Sequence, residues 1–215
     1  MATHTLPERS VLERYSQPGP RYTSYPTAPQ FDAAFGDADL RAAIASSNGD
    51  PIPRRLSLYV HVPFCWSPCF YCGCNRIITR DRSRSAHYLQ HLRTEIGLVA
   101  PLFDADREVR QLHFGGGSPN FLSPAQLADV VRELERRFRF STGGDRDISI
   151  ELDPRFVGPD DIARLAGLGF NRASLGVQDF DPVVQAAVNR IQSVEETRDV
   201  VEACRAHGFA SVNID

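Results

Sequence analysis

The chain has 215 residues, which is room for one domain or for one large part of a bigger protein. A 42% share of hydrophobic residues is enough to build a core and excludes a disordered tail or a fibrous protein. The formal net charge is −3 and all 24 basic residues are arginine. The sequence therefore shows no obvious excess of positive charge of the kind that binds nucleic acid.

The sequence also lacks membrane and secretion signals. No stretch approaches the roughly 18 apolar residues that a membrane span needs. The N-terminal run MATHTLPERSVLERY alternates in charge and has no apolar region of a secretory signal. We therefore predict a cytoplasmic protein, a monomer, that contacts neither a membrane nor a nucleic acid.

Predicted helices and strands alternate over most of the chain. Residues 1–56 are rich in turn signals around one predicted helix near residues 37–47. After them come the predicted strands SLYVHV, VRQLHF, DISIEL, RASLGV and ASVNID. The predicted helices cover residues 84–100, 124–138, 159–168, 182–188 and 194–206. Ser123 before Pro124, with Gln126 three residues on, predicts a helix start, and Gly169 and Gly208 predict helix ends.

This alternation predicts an α/β fold of parallel strands joined by right-handed crossovers. We divide the chain into an N-terminal arm and helix, residues 1–56, and a barrel, residues 57–215. A closed eight-stranded βα barrel takes about 250 residues, so five strands predict an incomplete one. Because SVNID ends in a strand, we expect the C-terminal part of the barrel to be missing from this chain.

Four of the five cysteines, Cys65, Cys69, Cys72 and Cys74, lie in the short run CWSPCFYCGC. An odd number of cysteines in a chain without a secretory signal argues against a disulfide framework. The run lacks the second pair of ligands of a typical zinc site, whereas three thiolates can leave one iron of a [4Fe–4S] cluster open. The spacing therefore favours a [4Fe–4S] cluster held by three of these thiolates, and zinc is the alternative.

Polar or glycine residues stand at the carboxyl ends of the predicted strands, where ligands gather in parallel βα folds. They are Tyr59 and His61, Gly115 to Gly117, Glu151 and Asp153, Gln178 and Asp179, and Asp215. Glycine lets a ligand approach the backbone closely. We predict that these strand ends form one site, with Tyr59 and His61 as candidate catalytic residues. We expect a structural role for His113 and a buried apolar one for Cys204.

The motif C-x3-C-x2-C after a strand resembles the signature of radical S-adenosylmethionine (SAM) enzymes. This resemblance implies Cys65, Cys69 and Cys72 as the cluster ligands, with Cys74 as a possible accessory thiol. The blocks PGPRYTSYPTA, SLYVHVPFCWSPCFYCGCNRIITR, LHFGGGSPNFL, ISIELDPR and FNRASLGVQDFDPVVQAAVNR resemble, in this order, the oxygen-independent coproporphyrinogen III oxidase family. The resemblance covers about residues 17 to 215. It implies a partial (β/α)6 TIM-like barrel, here truncated after about five strands, with a [4Fe–4S] cluster and one or two molecules of SAM as cofactors.

The resemblance also implies roles for single residues. The cofactor-binding positions are Tyr59, Tyr71, Gly116, Gly117, Ser118, Glu151, Gln178, Arg190 and Asp215. The last three match positions that hold a second SAM molecule, although Arg190 without the family would be an exposed arginine at a helix end. Arg21, Tyr22 and Tyr25 of the arm are implied to receive the propionates of a tetrapyrrole. Ser118 replaces the usual threonine, and Trp66 replaces a frequent histidine without a mechanistic reason.

The implied reaction is the oxidative decarboxylation of two propionates of coproporphyrinogen III to vinyl groups, which gives protoporphyrinogen IX and needs an unidentified electron donor. We expect the 215-residue chain alone to bind a cluster weakly and to be inactive. A haem-transferring branch of the family is the first alternative, but it generally lacks Cys74 and the PGPRYTSYPT arm. A zinc-stabilised interaction module is the second, and metal analysis separates it.

Overall fold

The structure is a computed structural model that describes residues 8–15, 30–52 and 54–215. Its internal contacts divide the chain into two compact units, Met1–Leu40 and Arg41–Asp215. The first unit contains helix α1, Arg9–Tyr15, in which Arg9 and Glu13 pair one turn apart at 2.8 Å. Helix α2, Asp37–Asn48, starts in the first unit and ends in the second.

The second unit is built on a parallel sheet. Its strands are β1 (Leu56–Val62), β2 (Phe64–Cys65), β3 (Ile77–Ile78), β4 (Glu108–Gly116), β5 (Arg139–Phe140), β6 (Asp147–Leu152), β7 (Arg172–Leu175) and β8 (Ser211–Ile214). The main sheet has the order β1–β4–β6–β7–β8, with β5 beside the start of β4, and every pairing is parallel. The α/β fold with about five parallel strands is therefore confirmed.

Helices connect the strands and cover one side of the sheet. They are α3 (Arg84–Val99), α4 (Pro124–Arg137), α5 (Pro159–Gly167), α6 (Pro182–Ala187) and α7 (Val194–Ala206). Helix α4 starts at a capping box in which Ser123 and Gln126 bond each other's backbone, as predicted. Gly169 and Gly208 follow α5 and α7 with φ of +88° and +79°, the conformation in which glycine ends helices.

The hydrophobic core lies between the helices and the face of the sheet that they cover, which we call the outer face. Alternate residues of the strands point outward, so the apolar positions of each strand reach the helices together. The most completely buried of them are Val62, Leu112, Phe114, Ile148, Ile150 and Leu175. Helix α4 adds Leu127, Val130, Val131 and Leu134 from one apolar stripe.

The inner face of the same strands is polar. The register places Tyr59, His113, Ser149, Arg172 and Ser211 in one row across the sheet. Nearer the carboxyl ends, His61 lies beside Gly115, and Glu151, Ser174 and Asn213 lie side by side. The fold thus separates an apolar face that stabilises the sheet from a polar face that is open to ligands.

The shortest strands were not predicted from the sequence. Strands β2, β3 and β5 have two residues each, too few to show a period, and the predicted strand RASLGV ends at Leu175 in the structure. Within the described ranges, no helix is long and apolar enough to cross a membrane.

Candidate cofactor-binding site

The cysteine run forms a closed loop directly after β1. Strand β2 ends at Cys65 and pairs with β3, and the Thr79 amide donates to the Cys65 carbonyl at 2.9 Å. The far side of the loop rests on the end of α6, where Asn189 Nδ2 donates to the Pro68 carbonyl at 2.8 Å and the Phe70 amide donates to the Val188 carbonyl at 2.9 Å. The loop is therefore fixed at both sides by the fold.

The four thiols of the loop are free and differ in exposure. Cys69 is buried, Cys65 and Cys72 are half-buried and Cys74 is exposed. The Ser118 hydroxyl donates to Cys65 Sγ at 3.7 Å, and the Cys74 amide donates to Cys72 Sγ at 3.3 Å. Burial raises the pKa of Cys65 above its usual value, and burial together with the Cys72 hydrogen bond raises the pKa of Cys74 to about 11. A metal must therefore displace protons when it binds here.

Arg76 holds the loop from inside. Its Nη1 donates to the Cys72 carbonyl at 3.0 Å, and its Nη2 donates to the Cys69 carbonyl at 3.4 Å. Its Nε is buried and has no hydrogen-bond partner within the described part of the chain. A buried donor without a partner is costly, so it points to an acceptor outside the part of the chain that the structure describes.

These observations fit an iron–sulfur cluster. Soft thiolates are the ligands that such clusters use, and the Arg76 guanidinium places a positive charge and a spare donor among them. Of the residues that the structure describes, no three His, Cys, Asp or Glu side chains form a group that could hold one metal ion. A four-iron cluster spreads its ligands over separate irons and does not require such a group.

Tyr59 and His61 join the sheet to this loop. The Tyr59 hydroxyl lies 3.0 Å from His61 Nδ1, and His61 Nε2 lies 2.9 Å from the Asn75 carbonyl oxygen. From the helix side, the Tyr88 hydroxyl donates to the His61 carbonyl at 2.6 Å. Burial, and then the negative charge of Glu151, raise the pKa of Tyr59 above its usual value. Both predicted residues therefore lie at the site.

The glycine segment, Gly115 to Gly117, packs so closely against its surroundings, among them His61 and the start of the cysteine loop, that a Cβ atom has no room there. A Cβ at Gly116 would lie 2.7 Å from the His61 ring, and φ there is +114°, which disfavours other residues. A Cβ at Gly117 would lie 2.7 Å from the Phe64 carbonyl oxygen and 3.0 Å from Cys65 Sγ. Close approach is thus the reason for the glycines, and it brings Ser118, which is buried, against the cysteine loop.

Glu151 is held at the same edge by a hydrogen-bond network. Its Oε2 accepts from the Gly116 amide at 3.0 Å, and its Oε1 lies 3.2 Å from His113 Nε2. His113 Nδ1 lies 2.7 Å from the Ser149 hydroxyl, and the Tyr59 ring stacks on the His113 ring at 5.7 Å. We expected only a structural role for His113, and the structure places it in contact with a candidate cofactor residue. Its place three residues before Gly116 on a strand with inward polar residues was the available signal.

The last three candidates meet near the ends of β7 and β8. The Gln178 amide, at φ +73°, donates to the Asp215 carbonyl at 2.7 Å, and the Asp215 carboxylate accepts from the Ser174 hydroxyl. Arg190 donates to the Gly176 carbonyl through Nε at 3.1 Å. It also lies 3.4 Å from the buried Asp153 carboxylate.

The burial of Arg190 corrects one expectation. From its place at a helix end, Arg190 would be exposed, but only 8% of it is accessible. The cause is the buried Asp153 carboxylate. The same carboxylate accepts a bidentate pair of hydrogen bonds from Arg155, from Nε at 2.9 Å and from Nη2 at 2.7 Å. Tyr71 is exposed on the cysteine loop, 63% accessible. Arg21, Tyr22 and Tyr25 lie outside the described residues.

Two cavities of about 230 and 250 Å³ open on the inner face of the sheet. Both are lined by His113, Asp147 and Ser149, and the larger one also by Glu151 and Arg172. Arg172 Nε pairs with Asp147 at 3.1 Å. We did not single out Asp147, Ser149 or Arg172, although their alternation with apolar residues was visible in the sequence.

Comparisons with known proteins show the superfamily of this chain. The radical SAM superfamily model matches residues 59–215, so the chain belongs to the radical SAM superfamily. This superfamily implies a [4Fe–4S] cluster and SAM as cofactors. The matched residues include the cysteine loop, the glycine segment and Glu151.

Two curated proteins that this chain resembles share one name. The chain is 48% identical over 208 residues to the oxygen-independent coproporphyrinogen III oxidase of Pseudomonas aeruginosa, which covers 97% of the chain and 45% of that protein. It is 45% identical to the Escherichia coli K12 protein of the same name. The solved structure of coproporphyrinogen III oxidase from Escherichia coli, a radical SAM enzyme, superposes with a TM-score of 0.83 at 44% identity, over 96% of this chain and 44% of that one. The chain spans less than half the length of these relatives.

Proposed function

We propose that this chain binds a [4Fe–4S] cluster and SAM for the oxidative decarboxylation of coproporphyrinogen III to protoporphyrinogen IX. The observation that carries the proposal is the meeting of the cysteine loop, the glycine segment and Glu151 at one edge of the sheet. Ser118 Oγ is 3.7 Å from Cys65 Sγ, and the Gly116 amide is 3.0 Å from Glu151 Oε2. The chemistry that a bound cluster and SAM supply is the removal of a propionate hydrogen atom, after which loss of CO₂ and one electron leaves a vinyl group.

The cysteine loop supplies the metal ligands. Cys65, Cys69 and Cys72 provide three thiolates, which leaves one iron free for SAM. Cys74, the exposed thiol, is an accessory group. Arg76 offsets the negative charge of the thiolates and offers its unpaired Nε to a cluster sulfide.

The strand ends hold SAM. Gly116 and Gly117 allow it to approach the backbone, and Ser118 places a hydroxyl beside the cysteine loop. Glu151 binds SAM with a carboxylate that the Gly116 amide and His113 orient. Tyr59 and the exposed Tyr71 offer aromatic rings, and Tyr59 with His61 form the candidate catalytic pair.

A second SAM molecule and the substrate use residues further out. Gln178, Arg190 and Asp215 hold the second SAM, and Arg190 is kept in place by the Gly176 carbonyl. Arg21, Tyr22 and Tyr25, within the proposed arm 1–56, receive the propionates of the tetrapyrrole. Residues 57–215 form the catalytic part, and an external donor supplies the electron.

Metal analysis tests the cofactor part of the proposal. Excess iron and sulfide offset the weak binding expected of the chain alone, so the chain reconstituted in that excess without oxygen should contain about four irons and four sulfides and should absorb in the blue. Cys65→Ala should lose the iron, the sulfide and the colour. Cys204→Ala is the matched control, because Cys204 is a fully buried thiol on α7 and should leave the iron content unchanged. Zinc in the wild-type chain, or equal iron in both variants, would overturn the proposal.

A chimaera tests the reaction. This chain replaces the matching part of the Pseudomonas aeruginosa relative, and release of CO₂ from coproporphyrinogen III is measured with SAM and a reductant. We expect CO₂ release and protoporphyrinogen IX, both abolished by Cys65→Ala. A chimaera that contains the cluster and cleaves SAM but releases no CO₂ would contradict the proposed substrate.

A further inference from the structure

Trp66, the only tryptophan of the chain, is part of the cysteine loop, is half-buried and packs against the hydrophobic core. It follows Cys65 directly, and its ring stacks on Phe156 with centroids 4.3 Å apart. Phe156 is 41% exposed and lines a surface cavity of about 270 Å³. A packed aromatic pair therefore runs from the residue next to Cys65 to the protein surface.

Arginines surround this pair. The Arg82 guanidinium lies over the Trp66 ring at 5.9 Å, and the Arg155 guanidinium lies over the Phe156 ring at 5.3 Å. Arg82 and Arg164 line the cavity, and Arg80 and Arg84 flank Arg82 on an exposed segment. We call Trp66, Phe156, Arg80, Arg82, Arg84 and Arg164 the aromatic–arginine face.

The charge of this face is opposite to that of the chain. Its four arginines are set against three carboxylates, Asp81 of the same segment and the neighbours Asp160 and Asp161 at the start of α5, so the local charge is 4 − 3 = +1. The chain as a whole carries −3. An apolar centre with a charged rim is the arrangement of small transient interfaces, and a positive rim attracts an acidic partner.

The other outer side of the cysteine loop has the opposite charge. The loop rests there on the end of α6. Exposed residues of this part of the chain are Phe70 of the loop, Asp179 and Asp181 before α6, and Glu195 in the first turn of α7, the next helix. These carboxylates repel an acidic protein. The inner face of the sheet is taken by the proposed cofactors.

We propose that the aromatic–arginine face is the docking site of an acidic protein that carries one electron at an exposed redox centre. This inference rests on the proposed function, because the electron is delivered to the cluster. The carrier loses one electron and the cluster gains it; no bond forms or breaks and no proton moves. Trp66 and Phe156 fill the space between the partner and Cys65, so the electron crosses packed side chains instead of water.

Binding to the cluster-free chain is the first test. The probe is an acidic plant-type [2Fe–2S] ferredoxin without tryptophan, and the signal is Trp66 fluorescence at low ionic strength. We expect saturable quenching that salt weakens, and a Kd about tenfold higher for Arg80→Glu/Arg82→Glu. Arg205→Glu, an exposed charge reversal at the end of α7 beside the amino ends of the strands, is the matched control and should keep the wild-type Kd. Equal Kd values for all three proteins would overturn the proposal.

Reduction of the reconstituted chain is the second test. Stopped-flow bleaching by reduced ferredoxin should be about tenfold slower in Arg80→Glu/Arg82→Glu, whereas dithionite, which needs no docking, should reduce both proteins equally. If Glu195→Arg changes the ferredoxin rate more than the arginine variant does, the partner docks beside α6 and the proposal is wrong. A chain without a reducible cluster would refute the proposed function, while the binding test still decides the docking site.

Discussion

The two faces of the sheet differ although the same strands build both. Phe114 and Ile150 point outward and are fully buried, while their neighbours His113 and Glu151 point inward into a hydrogen-bond network. The strand period of two thus assigns core packing to one set of residues and a polar hydrogen-bond network to the other. A register shift of one residue would exchange the two sets, so packing of the outer face also fixes the geometry of the inner one.

The largest effect expected from this comparison is on stability. Phe114→Ala removes a fully buried ring and should lower the free energy of unfolding by about 3–5 kcal/mol. His113→Ala, the neighbour on the other face, should cost about 1 kcal/mol through its lost hydrogen bonds but should weaken SAM binding. Denaturant unfolding and SAM titration of both variants measure the two effects. Similar stability losses would contradict the division of roles.

A smaller effect is expected where the inner face meets the glycine segment. Gly116→Ala must adopt a positive φ and must push the His61 ring away, which should cost about 1–3 kcal/mol and should also lower cluster content. Gly144→Ala is the control, because a Cβ there meets no atom within 4 Å. Thermal unfolding and iron analysis give the two readouts; an unchanged iron content in Gly116→Ala would argue against the role of this segment.

Helix capping on the outer side should matter less. Ser123→Ala removes the hydroxyl that bonds the Gln126 amide at the start of α4 and should cost about 1 kcal/mol. Ser83 precedes α3 but makes no side-chain cap bond, so Ser83→Ala should cost less. Denaturant unfolding compares the two, and equal losses would show that the capping box contributes little.

An effect of similar size concerns Tyr88, whose hydroxyl on α3 donates to the His61 carbonyl. Burial raises the pKa of Tyr88 to about 12, so the folded chain holds this proton more tightly than the unfolded chain. Its contribution to stability is complete below pH 10 and is lost as the pH rises from 10 to 12. Tyrosinate absorbance should show a titration near pH 12 that disappears in Tyr88→Phe, a variant that should lose about 0.5–1.5 kcal/mol below pH 10. A Tyr88→Phe titration curve that keeps the late step would assign it to another tyrosine.

The sequence predicted what depends on local pattern. The strand Asp147–Leu152 and the helix Val194–Ala206 have the predicted bounds, and the capping box at Ser123 is present. These features follow from periodicity and from residues close together in the chain.

Features that depend on distant contacts were not predicted. Arg190 is buried because Asp153 and Gly176, from two other strand ends, meet it. The unpaired Nε of Arg76 and the contact of His113 with Glu151 arise in the same way. A helix end or a strand histidine seen alone gives no sign of such partners.

The two-residue ladder between β2 and β3 closes the cysteine loop into a ring. Closing a loop costs chain entropy. Here the hydrogen bonds of the ladder and of the contacts with α6 offset that loss when the chain folds. Iron binding then has fewer conformations left to restrict, so the ring should form with or without metal. Hydrogen exchange at the Thr79 amide should be as slow in the metal-free chain as in the reconstituted one.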